Sequence, residues 1–72
     1  MEIIFTNHAK IRMIEREISF DQIKETLNFP DYTIRKGTVI EAHKLFKSKN
    51  LKVVYSQTGK FIKIITLIWK WD

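Results

Sequence analysis

The sequence predicts an α+β fold: two N-terminal helices packed on one face of a four- to five-stranded, mainly antiparallel sheet, in the order β-α-α-β-β-β-β. Three observations predict it. Helical spacing and capping signals are confined to residues 8–29. From Tyr32 onward the chain runs in short apolar or alternating stretches broken by turn residues. Finally, 72 residues with 44% hydrophobic content, two glycines and one proline fit a single domain, residues 1–72, without a linker or low-complexity segment.

Each element has a local reason. Residues 3–5, Ile-Ile-Phe, form a short apolar strand. Thr6 or Asn7 caps a first helix over residues 8–17. There Ile11, Ile14 and Ile18 form one apolar sector and Ala9 with Met13 another. Their summed direction points away from His8, Arg12 and Arg16, which recur at four-residue spacing and fall within about 80° on a helix surface. Ser19 caps a second helix, with Gln22 closing a capping box and Ile18 and Ile23 forming a hydrophobic staple. Phe20, Ile23 and Leu27 mark its buried side, and Phe29-Pro30 ends it. The link between the helices is short enough to fold them as a hairpin.

The remainder is a meander. Residues 32–36 turn at Gly37 into 38–47, Ser48-Lys49-Asn50 turns into 51–56, and Gln57-Thr58-Gly59-Lys60 turns into 61–71. In the second of these strands Ile40, Ala42 and Phe46 alternate with Glu41, His43 and Lys47, so one face is core and the other wet. The last strand is apolar on both faces, as an inner strand is, and the N-terminal strand joins at an edge or beside it.

The formal charge is +5, unevenly spread. Residues 1–31 hold four cations against six carboxylates, and residues 32–72 hold nine against two. The C-terminal half therefore carries a positive field suited to a polyanion or an acidic protein partner. The absence of cysteine excludes disulfides and thiolate metal sites. The N-terminus lacks a basic, long apolar leader, and no apolar run approaches the ~20 residues of a membrane span, so a cytoplasmic protein away from membranes is expected. No short His or Cys spacing, nucleophile elbow or phosphate-binding glycine loop is present, and no metal or cofactor is expected. Asp21 and Glu25 on the second helix argue against a DNA-reading helix-turn-helix.

The run His8-Ala9-x-x-Arg12-Met13-x-x-Arg16, followed by Ile18-Ser19, Ile23, Leu27 and Pro30, resembles a widespread family of small prokaryotic domains of unknown function. The closing strands, Leu51-Lys52-Val53-Val54-Tyr55 and Ile64-Ile65-Thr66, extend the resemblance over nearly the whole chain. That family is regarded as similar in fold to the RelE/ParE toxin superfamily and, more remotely, to metal-independent ribonucleases. The likeness implies a RelE-like domain that cleaves or binds RNA without metal, as half of a toxin–antitoxin pair. The same superfamily also has members that do not cut RNA. Two departures stand out: Glu17 occupies a position where a small residue such as glycine is usual, and no helix follows Trp71.

Metal-free RNA cleavage needs an activated 2′-hydroxyl, a protonated leaving oxygen and a stabilised phosphate. Histidine suits the proton transfers and arginine's planar fork suits the phosphate. His8 is thus a candidate proton-transfer catalyst or phosphate donor, with Arg12 and Arg16 as phosphate ligands and His43, oriented by Glu41, as auxiliary acid or base. The competing reading has His8 hydrogen-bonded locally and the arginines paired to Glu15 or sheet carboxylates. Lys44, Lys52, Tyr55, Lys63 and Thr66 are candidate nucleic-acid contacts. Trp69 and Trp71 either stack bases or cover a sheet edge. The alternative function is a non-catalytic interaction module whose basic sheet docks an acidic antitoxin-like segment or ribosomal RNA.

Overall fold

A computed structural model describes residues 2–71, apart from the side chain of Trp71. The elements are β1 (Glu2–Phe5), α1 (Asn7–Glu15), α2 (Phe20–Asn28), β2 (Tyr32–Lys36), β3 (Val39–Phe46), β4 (Lys49–Thr58) and β5 (Phe61–Trp71). The α+β layout is the one the sequence predicts. The five strands lie in the order β1-β5-β4-β3-β2, antiparallel except for β1, which runs parallel to β5. The first strand is therefore both at an edge and beside the last strand. Among the described residues no helix is long and apolar enough to cross a membrane.

The second and third hairpins are tighter than the sequence suggested, the first is one residue wider, and β4 is longer at both ends. Two residues separate the paired ends in each case: Gly37-Thr38, Lys47-Ser48 and Gly59-Lys60. The first of the two has φ of 64° at Gly37, 59° at Lys47 and 58° at Gly59. Positive φ at the first central residue and not the second is the mark of a type II′ turn, whose backbone matches strand twist. Glycine supplies it at two turns, and a lysine is held there at the third.

Helix α1 begins with Thr6, whose hydroxyl accepts from the Ala9 amide and donates to the Ile65 carbonyl, each at 3.0 Å. Ile65 is the extra residue of a bulge in β5, where Val54 pairs with Thr66 but Tyr55 pairs with Ile64. One side chain thus caps the helix and satisfies the bulge. At the other end Ile18 N–H bonds Met13 C=O and Glu17 N–H bonds Ile14 C=O. This is a Schellman motif, and its left-handed position is Glu17, with φ of 52°. Helix α2 starts with the expected capping box, both bonds of which are formed between Ser19 and Gln22. Buried Thr26 bonds the Gln22 carbonyl at 2.8 Å, which spares its hydroxyl an unpaired burial.

The helices cover one face only. Ala9, Ile18, Ile23, Leu51, Val53, Ile64 and Leu67 form the core between them and the sheet. Three expectations about burial are corrected. Ile11 is 52% and Ile14 78% exposed, so these two members of the sector face solvent while Ile18, past the end of α1, is in the core. The helix instead turns Ala9 and Met13 inward, because a methyl at Ala9 lets the helix lie close on β5 and leaves no room for a branched side chain there. Arg12 and Arg16 are consequently half-buried rather than turned away. Phe20 is exposed at the helix start, its ring centroid 6.1 Å from that of Phe5.

Candidate functional site

The helix α1 stripe does not stay together as one site. His8 is exposed and makes no hydrogen bond or ion pair among the described residues. Arg12 is paired with Glu15 on the same helix, one turn on. Arg16 reaches the sheet, where its guanidinium donates to the Leu67 carbonyl. His8 and Arg16 are eight positions apart, about 12 Å along a helix axis.

Arg16 belongs to a different grouping. The indole Nε1–H of Trp69 donates to the Arg16 carbonyl at 2.8 Å, so the helix end is tied to β5 by two bonds, one from Trp69 to the Arg16 backbone and one from the Arg16 side chain to the Leu67 backbone. The Trp69 ring meets Phe46 edge-on with centroids 6.2 Å apart, and the Lys49 ammonium lies 5.2 Å from its centroid. A cleft of about 570 Å³ opens here, lined by Arg16, Glu17, Gln22, Phe46, Lys47, Ser48, Lys49 and Trp69. Three of its lining residues are cations and one is a carboxylate.

Both non-glycine residues with positive φ among the described residues, Glu17 and Lys47, line this cleft. Holding a side chain in the left-handed region costs roughly 1–2 kcal/mol per residue. Strained positions of this kind concentrate where function fixes a side chain against local preference. Sequence reasoning singled out Arg16, Trp69 and the Glu17 departure separately, but nothing in the spacing joined them. The sequence puts Lys47 in a strand and Lys49 in a turn and marks neither with a role. The signal that could have found Lys47 is the lysine in a two-residue hairpin loop where its neighbours use glycine.

The second polar cluster lies on the opposite face of the sheet. Strand alternation sends Glu41 and His43 of β3 away from the helices, so His43 and α1's His8 are on different sides. The expected wet face is corrected here: His43 is 2% and Glu41 9% exposed. The ring of Tyr32, directly opposite on β2, stacks on His43 at 4.5 Å and 8° and shields it. His43 Nε2 donates to Glu41 Oε1 at 3.3 Å, since a carboxylate only accepts. Lys36 and Lys52 approach the other carboxylate oxygen at 3.4 and 3.7 Å. Burial raises the Glu41 pKa, but the His43 hydrogen bond and the charges of Lys52 and Lys36 outweigh it and leave it below the ordinary carboxylate range. His43 Nδ1 is buried without a hydrogen-bond partner. No third His, Asp or Glu joins this pair to make a metal-holding group among the described residues.

The candidate nucleic-acid contacts divide between the faces. Lys44 is on the helix side and donates to the Phe29 carbonyl at 2.9 Å. Tyr55 packs against the helix-side core. Lys52, Lys63 and Thr66 share the open face, Lys63 opposite Ser56 and Thr66 opposite Val54. Trp69 is on the helix side, and the side chain of Trp71 lies outside the described residues.

A family model matches residues 5–69, and its description is a domain of unknown function, DUF4258. No curated protein matches the chain. No solved structure matches it.

Proposed function

We propose that this chain, which belongs to the DUF4258 family, binds RNA by its phosphate backbone in the cleft between the end of α1 and the β3–β4 hairpin. The observation that carries this reading is the lock of Arg16 onto β5, its carbonyl held by Trp69 and its guanidinium by the Leu67 carbonyl. It fixes a guanidinium at the mouth of a cationic cleft while using one of its five N–H donors, and the others remain for a phosphate. Lys47 and Lys49 supply further charge on the hairpin opposite. The first helix resembles a family of small domains that is regarded as similar in fold to the RelE/ParE superfamily, and that kinship favours RNA as the polyanion and a role as the toxin-like half of a toxin–antitoxin pair.

Binding is better supported than cleavage. The four residues considered for catalysis are dispersed: exposed His8, paired Arg12, sheet-bound Arg16, and His43 buried on the far face. If cleavage occurs, His8 is the histidine that a substrate can reach. The test is labelled single-stranded RNA with wild-type protein, Arg16→Ala, Lys49→Ala and His8→Ala, in EDTA and across a salt series. Affinity that falls with salt and drops in Arg16→Ala and Lys49→Ala is expected, with the RNA intact. Equal binding by both variants and the wild type would remove the cleft from the proposal. Cleavage abolished by His8→Ala would restore the catalytic reading.

A second reading, docking of an acidic protein segment, is favoured by the open sheet face. There Ile4, Tyr32, Ile34, Leu45 and Phe61 are exposed beside Lys36 and Lys63. Lys63→Glu separates the two readings, since it lies across the sheet from the cleft and leaves cleft binding of RNA nearly intact.

A further inference from the structure

We infer that the outer edge of β2 pairs antiparallel with the same edge of a second copy, joining two five-stranded sheets into one. The inference is independent of the RNA reading. It starts from the unusual state of this strand: all five residues of β2 are exposed, while every other strand has residues that are buried or half-buried. Neither helix packs on it, since α1 rests on β5 and β1 and α2 on β4 and β3. Among the described residues its only support is β3.

Natural sheets protect a single edge with a bulge, an internal proline, an inward charge or a covering loop. Strand β2 has no bulge and no internal proline, and neither helix covers it; its one inward charge is Arg35, opposite Ile40 on the helix side. Its five pairs with β3 run from Tyr32–His43 to Lys36–Val39 without a register shift, and Pro30 lies outside the strand. The remaining defence would be the charges Arg35 and Lys36. The self-pairing register matches them instead of opposing them.

Antiparallel pairing about Ile34 sets Ile34 against its own copy, Tyr32 against Lys36 and Thr33 against Arg35. A guanidinium then faces a hydroxyl, while Lys36 keeps its contact with Glu41 and Tyr32 its stack on His43 within each sheet. No two cations are directly opposite, and the open faces of both sheets stay on one side. Centring the pair on Arg35 would set two guanidiniums against each other, and centring it on Thr33 would leave fewer pairs. The contact is isologous, so it closes at a dimer, whereas β2 meeting the other edge, β1, would propagate into a filament. A five-residue edge falls well below the ~1,200 Å² of stable interfaces, so the dimer is expected at roughly tens to hundreds of micromolar.

Sedimentation equilibrium on the full chain, from about 10 µM to about 1 mM, tests it with two variants at an exposed position. Thr33→Glu sets a carboxylate opposite Arg35 of the second copy and should tighten the dimer about fivefold. Thr33→Lys sets two cations opposite and should loosen it by a similar factor. Circular dichroism checks that both variants keep the fold. A monomer throughout for wild type and Thr33→Glu, a dimer indifferent to both changes, or assembly beyond two copies overturns the proposal.

Discussion

The two faces of this sheet handle polar side chains in opposite ways. On the helix side Trp69 bonds the Arg16 backbone, the Arg16 side chain bonds the Leu67 backbone, and charge is left facing an open cleft. On the open side Glu41 and His43, two residues apart, bond each other and are closed over by Tyr32. The first arrangement positions unsatisfied donors, and the second uses its charges up. Buried polarity alone is therefore a poor guide to a working site here. What separates the regions is whether hydrogen-bonding capacity is left where a ligand can reach it.

The largest expected effect is on the lock that builds the helix side. Trp69→Ala removes the ring that Phe46 and Lys49 pack against and should lower stability by about 3 kcal/mol in urea unfolding. Trp69→Phe keeps most of the buried area and loses the indole donor, at a cost of about 1 kcal/mol. If the lock positions Arg16, the phenylalanine variant also binds polyanion less tightly. Unchanged affinity would show that the bond to Leu67 suffices.

Arg16→Lys should come next. It keeps the charge but not the planar fork that bonds Leu67 and a ligand together. Loss of one charge-assisted hydrogen bond corresponds to a drop in RNA affinity on the order of tenfold. Filter binding at two salt concentrations checks it. A lysine variant as tight as the wild type would reduce the cleft to a diffuse positive field.

The contrast between the faces also explains what the sequence revealed. Contacts of short sequence range were legible: the Ser19–Gln22 capping box, the hairpins and the order of elements follow local grammar. The side of α1 that packs was not, because apolar spacing names two sectors, one of isoleucines and one of Ala9 with Met13, and the small size of Ala9 selects the second. Alternation along β3 correctly separated Glu41 and His43 from the core. It missed their burial, because Tyr32 reaches His43 only through the register of a neighbouring strand. The cleft was least legible, since it joins the end of α1 to a hairpin and a strand across more than 50 positions.

On the open face the expected effect is a change in acid sensitivity. Glu41 has a lowered folded pKa, so its contribution to stability is present above its unfolded value, about 4.3, and is lost as pH falls through the folded value. Thermal melts from pH 6 downward should show wild-type stability falling through this window. Glu41→Gln should lack that part of the fall. Parallel curves would mean that Lys36, Lys52 and His43 do not hold the carboxylate in solution as they do here.

The smallest effect tests whether strain in the cleft is retained for binding. Lys47 occupies a turn position where Gly37 and Gly59 serve the other two hairpins, with φ of 59°. Lys47→Gly should raise stability by about 1 kcal/mol, because glycine adopts this conformation without a Cβ clash. It also removes one of the cations lining the cleft and should weaken RNA binding and flatten its salt dependence. Gain of stability with loss of affinity is the signature of a residue kept against local preference for its charge. Gain of stability with unchanged affinity would leave Lys47 as strain without a purpose, and would shift the site toward Arg16 and Lys49 alone.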